Sequence, residues 1–215
     1  MQRQLSLLVF VLLTVGVPAH ASDWYPIDTG RSWSYSGTGG STSSATIDAP
    51  AVFAGALAQP LHWNANVLEW MSQDGSGRVY EHGLTYPDGS YVVFDPPMLR
   101  MDSDLTPGHQ WETTFDRITY NVVGAEVGRV TAHFVYEVKG VGAVNVPAAA
   151  FQGVDVQITR SQTGVPDYVF DEWYVEGVGF VLRTDTTGIV FQLTAYGPLL
   201  ATQGVSWGAV KAMYR

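Results

Sequence analysis

The chain has no cysteine. Disulfides, thiolate metal sites, a cysteine nucleophile and a lipid-modified N-terminal cysteine are therefore excluded. Stability has to come from the core, which a domain of this size can build. Basic residues are also scarce, with 11 Lys and Arg against 20 Asp and Glu and a formal charge of −9. Such a surface repels phosphate backbones and anionic headgroups, which argues against a nucleic-acid partner and against membrane adsorption by charge. The acidic excess most simply serves solubility. No stretch reaches the roughly 18–20 apolar residues needed to cross a bilayer as a helix, so stable membrane insertion is not expected. Glycosylation sequons are missing too: Asn121, for example, is followed by Val122-Val123.

What is present begins with an export leader. Arg3 gives the positive start, Leu5 to Val15 the apolar run and Ala19-His20-Ala21 the small-x-small site of a secretory signal peptide. Cleavage is expected between Ala21 and Ser22. The mature chain would carry 194 residues and, having lost Arg3, a charge of −10. A periplasmic or secreted bacterial protein is expected.

Beyond residue 21 the pattern is period 2. In Arg129 to Lys139, Val130, Ala132, Phe134, Tyr136 and Val138 share one face, and Arg129, Thr131, His133, Glu137 and Lys139 the other. Side chains alternate across a strand, so this is a long, half-buried β-strand. The same logic puts Ile118, Tyr120 and Val122 inward on one strand. It puts Val154, Val156 and Ile158 inward on a second, and Ile189, Phe191, Leu193 and Ala195 inward on a third. Turn signals such as Asp74-Gly75, Pro87-Asp88-Gly89, Pro107-Gly108 and Thr187-Gly188 punctuate the chain, the pattern of an antiparallel all-β domain with roughly ten to twelve strands. Ser36 to Ser44, SGTGGSTSS, reads as a flexible loop. Val205 to Arg215 is the one helix candidate after the leader, with Ser206 as cap and Val210, Met213 and Tyr214 as an apolar stripe.

Catalytic signatures fail on context. Gly204-Val205-Ser206-Trp207-Gly208 matches the hydrolase elbow, but no Asp or His follows it and the α/β pattern is missing. His62, His82, His109 and His133 have no metal-ligand spacing on one element. Asp102-Ser103-Asp104 lacks the remaining ligands of a calcium loop. Asp167, Asp171 and Glu172 beside Trp173 and Tyr174 could supply a glycosidase carboxylate pair, though a polar strand edge looks the same. No catalytic residue, metal or cofactor is therefore assigned. Aromatics give the strongest hint, at 13% of the chain. They suit sheets and cores, and part of them could line a groove for an apolar ligand or a sugar ring.

Several short motifs resemble known exported proteins. They are Tyr25-Pro26 with Gly30, Trp33 and Tyr35, then Phe94-Asp95-Pro96-Pro97, then Leu105-Thr106-Pro107-Gly108-His109-Gln110-Trp111. Val146-Pro147-Ala148-Ala149-Ala150-Phe151 and Trp173 to Val181 follow. This set resembles exported bacterial domains of unknown function in the DUF3108 and LolA/LolB-like lipoprotein-carrier neighbourhood. The resemblance implies a curved, incompletely closed antiparallel sheet whose concave face can hold acyl chains. The chain departs from it by lacking the lipid-attachment Cys of LolB and clear amphipathic helices to cover the concavity.

The expected fold is thus all-β, a curved and mainly antiparallel sheet (an incomplete barrel or sandwich) with a short C-terminal helical tail. Residues 1–21 are the leader, 22–200 the β domain and 201–215 the tail. The expected function is non-enzymatic: a concave apolar face for a lipid-like small molecule or an envelope protein. Trp33, Tyr35, Tyr120, Phe134, Tyr136 and Trp173 are its candidate ligand-binding residues. The rivals are a carbohydrate-binding module using exposed Trp and Tyr, and a glycoside-acting enzyme.

Overall fold

A computed structural model describes residues 23–64 and 66–198; the leader and the whole tail 201–215, including the helix expected over 205–215, lie outside the described residues. The architecture is one antiparallel sheet of thirteen strands. They are β1 (Arg31–Gly37), β2 (Thr42–Ile47), β3 (Ala51–Phe53), β4 (Ala56–Trp63), β5 (Val67–Gln73), β6 (Val79–Thr85) and β7 (Tyr91–Met101). Then come β8 (Gln110–Tyr120), β9 (Glu126–Val146), β10 (Ala149–Gln162), β11 (Val165–Val175), β12 (Gly179–Asp185) and β13 (Gly188–Pro198). From β4 to β13 each strand pairs with the next; β13 pairs with β1 and β1 with β2.

The sheet is closed, which corrects the expectation of an incomplete barrel. Its seam is three residue pairs between β2 and β4: Ala45 with Trp63, Thr46 with His62 and Ile47 with Leu61. This makes a 12-strand barrel. After Ile47 the chain steps aside and β3 continues along the same edge of β4, pairing Ala51 to Phe53 with Ala58 to Ala56. Closure removes the exposed edges that an open sheet leaves unpaired. Around the seam the Asn64 carboxamide accepts from Ser44 N at 2.7 Å and donates to Ser43 Oγ at 3.0 Å.

Strand parity follows the apolar pattern over most of each strand, but Val130 on β9 and Ile189 on β13, both expected inward, are exposed. On β9, Tyr136 and Val138 are fully buried, while Phe134 on the same face is only half-buried because it borders an internal cavity. Val154, Val156 and Ile158 on β10 are buried as expected. On β13 a register shift against β1 turns Ala195 outward while Leu193 stays buried.

Two readings are reversed. The β8 face that enters the barrel carries Trp111, Phe115 and Arg117, whereas Ile118 and Tyr120 line an outer groove beneath the β3–β4 turn and Val122 is exposed. Ile118 is buried on the outside because Ala54, Gly55 and Ala56 roof that groove. Ser36 to Ser44 is a β1–β2 hairpin rather than a loop, held by Gly37 N donating to Ser41 O at 2.8 Å.

Pro96-Pro97 sits inside β7 at a bulge where pairing with β6 jumps from Val93 to Met98. A bulge tolerates a residue without an N–H. Gly83, opposite this bulge, has φ 148°, and a Cβ there would lie 2.0 Å from Val92 O, so only glycine fits.

One end of the barrel is filled. Asp23 to Ile27 enter there, with Gly177 N donating to Asp23 O at 2.7 Å, and Tyr25 is buried with its ring 6.0 Å from that of Tyr174. Trp33 Nε1 donates to Val178 O at 2.6 Å and Tyr35 Oη to Phe180 O at 3.1 Å, tying β1 to the β11–β12 turn and the start of β12.

Candidate functional site: the barrel lumen

The other end is open. Where the strand faces run out toward the β4–β5, β6–β7, β8–β9, β10–β11 and β12–β13 turns, the lumen holds a cavity of about 500 Å³. That volume is in the range of small-molecule sites. Phe94, Phe115, Phe134, Phe170, Phe180 and Phe191 supply its apolar wall. At this end of the barrel Val123 in the β8–β9 turn, Val165 at the start of β11 and Ile189 near the start of β13 are exposed.

Polar groups in the lumen are few and charged. Arg100 on β7 reaches across to Glu172 on β11, Nη2 to Oε2 at 2.8 Å. Arg183 on β12 donates from Nε to Glu172 Oε1 at 2.8 Å, and Tyr174 Oη donates to Glu172 Oε2. Glu172 has no exposed surface. Burial alone would raise its carboxyl, but Arg100 and Arg183 outweigh that and hold it at about 2. Arg183 also lies over Phe170, 4.8 Å from the ring centroid.

Facing this cluster are Glu69 on β5 and Glu81 on β6. Burial pushes both carboxyls up; the charge of Glu172 adds to the rise at Glu69, and Glu69 and Glu172 add to it at Glu81, which reaches about 8. Trp63 Nε1 makes no hydrogen bond of ordinary geometry, although it lies close enough to Glu69 to favour the carboxylate. Nearer the mouth, Arg117 Nη1 donates to Gln162 Oε1 at 3.3 Å and the Arg160 guanidinium rests over Tyr168 at 5.4 Å.

The six expected ligand residues are dispersed. Phe134 is on the cavity wall. Tyr136 is fully buried, its ring stacked 4.8 Å from that of Trp111. Trp33 and Tyr35 belong to the filled end, around a void of only about 20 Å³. Tyr120 is outside, stacked 4.8 Å from Tyr91. Trp173 follows Glu172 and faces the other way, 3.6 Å from where a Cβ on Gly142 would stand.

Alternation likewise separates the carboxylates considered for glycoside chemistry: Glu172 is in the lumen, while Asp171 is bonded to Gln157 Nε2 at 3.2 Å on the outer face. Asp102 is engaged by Arg78 at 2.9 Å and His109 at 3.1 Å, so it serves a structural ion cluster.

The readings missed Arg100, Arg117, Arg160, Arg183, Glu69 and Glu81. The signal was available in parity: Glu172 alternates with buried Phe170 and Tyr174, and Arg160 with Val156 and Ile158. A charge on an apolar face marks an interior polar site.

Comparisons with known proteins give fold-level likeness only. No family model and no curated protein matches the chain, so the DUF3108 and LolA/LolB-like resemblance gains no support. Among solved structures, the chain is similar to a Bacteroides fragilis protein with a YmcC-like fold, taken to be exported. Identity is 15% and the TM-score 0.46, covering 82% of this chain and 99% of that one. It is also similar to a Parabacteroides distasonis protein taken to be a lipoprotein, at 12% identity and a TM-score of 0.45, with the same coverage.

Proposed function

We propose that this is an exported, non-enzymatic carrier whose barrel lumen holds one amphiphilic, lipid-like molecule. The observation that carries the reading is the cavity itself: about 500 Å³, open at one end, walled by phenylalanines and closed below by a charged cluster. An acyl chain entering it would gain about 0.8 kcal/mol per buried CH₂. Arg100, Arg183 and Glu172 already satisfy one another, so they support the cavity and do not demand a catalytic role. The leader-like residues 1–21 support action outside the cytoplasm.

The test is a neutral apolar fluorophore, N-phenyl-1-naphthylamine, titrated into the mature protein, with native mass spectrometry and lipid extraction of the same sample. Saturable binding of about one probe per chain, or a co-purifying lipid displaced by the probe, is expected. A clean intact mass together with non-saturable fluorescence would remove the proposal.

A further inference from the structure

Among the described residues the basic side chains are gathered inside the barrel to a greater extent than the acidic ones. The described residues include eight Lys and Arg, and four of them, Arg100, Arg117, Arg160 and Arg183, line the lumen. Of the 20 Asp and Glu, only Glu69, Glu81 and Glu172 belong to that cavity or its floor. An acidic exterior therefore encloses a cationic interior, more so because Glu81 holds its proton up to about pH 8.

Pairing separates the arginines further. Arg31, Arg78, Arg100, Arg129 and Arg183 each have a carboxylate within salt-bridge distance. Among the described residues Arg117 and Arg160 have none. They stand on β8 and β10, the two neighbours of β9, with side chains turned into the same cavity. Gln162, two residues past Arg160 on the same face, accepts from Arg117, so two guanidiniums and one amide form a single polar patch between Phe115, Phe134 and Tyr168. Arg117 acts on Glu81 without touching it, and a charge drawn partly out of water with no counter-charge in contact is costly unless something supplies one. A guanidinium's planar fork matches carboxylate and phosphate oxygens.

Building on the carrier reading, we propose that the ligand is an anionic amphiphile whose carboxylate or phosphate head is seated by Arg117 and Arg160 while its chain lies on the phenylalanine wall. The head sits near the mouth and the chain runs inward, toward Phe170 and Phe180. Two unpaired arginines favour an anion over a neutral or cationic head, and among the described residues the exterior Arg31, Arg78, Arg129 and Lys139 are each paired with a carboxylate.

Calorimetric titration of the mature chain with decyl phosphate, decanol, decyltrimethylammonium and inorganic phosphate tests this. Decyl phosphate is expected to bind tightest. R117Q/R160Q, with its melting temperature checked, is expected to weaken decyl phosphate by about tenfold or more, as losing charged hydrogen bonds does. Decanol binding should be unchanged, and R117K/R160K should recover part of the loss. If decanol and decyl phosphate bind equally and R117Q/R160Q affects neither, the carrier stands and the anionic head is wrong. Tightest binding of the ammonium probe would also overturn it and point to Glu69 and Glu81. If inorganic phosphate binds as tightly as decyl phosphate, the site takes a free anion and the amphiphile is wrong. If none of the four binds, the carrier reading itself fails.

Discussion

Arg100 and Glu172 meet across the barrel at 2.8 Å, from strands that are not neighbours in the sheet. The contact ties β7 to β11 through the lumen, and Arg183 and Tyr174 complete the acceptor's shell. A buried ion pair of this kind contributes little relative to apolar packing, but removing one partner leaves an uncompensated charge. Glu172→Leu, which strands Arg100 and Arg183 together, is expected to destabilise the barrel by about 3–5 kcal/mol in urea denaturation. Arg100→Met, which leaves Glu172 paired with Arg183 and Tyr174, should cost less.

The same cluster sets an acid limit. Glu172 is held at about 2, below its unfolded value near 4.3. Its contribution is therefore full above about pH 5 and is lost as pH falls toward 2. Melting curves from pH 6 to pH 2 should show that loss, and Glu172→Gln should flatten it.

Glu81 has the opposite sign. Burial and then Glu69 raise it to about 8, so the folded state binds a proton that the unfolded chain has released. Stability tied to that proton is complete below about pH 4.5 and is lost as pH rises through about 8. Glu81→Gln should raise the melting temperature by several degrees at pH 9 and have little effect at pH 4. An identical shift at both pH values would show that Glu81 does not titrate this way.

Buried and cavity-facing positions of β9 should respond differently. Tyr136→Ala removes a fully buried ring and is expected to cost about 3–5 kcal/mol. Phe134→Ala opens into existing space and should cost about 1–2 kcal/mol, and the partly exposed Glu137→Ala at most about 0.5 kcal/mol.

The seam should be the first part of the barrel to open. β2 meets β4 through three residue pairs, whereas β9 meets β10 along fourteen. Hydrogen exchange should be faster in the amides of Ala45 to Ile47 than in those of Val154 to Ile158. Asn64→Ala, which loses two side-chain hydrogen bonds and leaves alanine at φ 50°, should widen the gap.

Strands were legible wherever one face was dry. Ala132 to Val138 and Val154 to Ile158 declared themselves by alternation alone, and Asp74-Gly75 and Pro87-Asp88-Gly89 by turn chemistry. Ring closure was not legible, because Thr42 to Ile47 is mostly Ser and Thr and its partner on β4 is identified only by the three-dimensional curl of the sheet. The lumen escaped for a related reason. Arg100 and Glu172 are 72 residues apart, and no local pattern records a contact across a cavity. Ile118 misled because apolar residues were assumed to face a single interior, whereas the β3–β4 turn makes a second buried surface outside.

The central claim, that the lumen is the binding site, is tested most directly at the Trp63 indole. Trp63 is the one tryptophan bordering the large cavity among the described residues, and its Nε1 makes no hydrogen bond of ordinary geometry. Indole N–H resonances of ¹⁵N-labelled protein titrated with decyl phosphate should show a saturable shift at Trp63. Trp70 and Trp173, on the outer face, should stay in place. Shifts confined to Trp70 or Trp173, or no saturable shift at Trp63 while ligand is bound, would contradict the account.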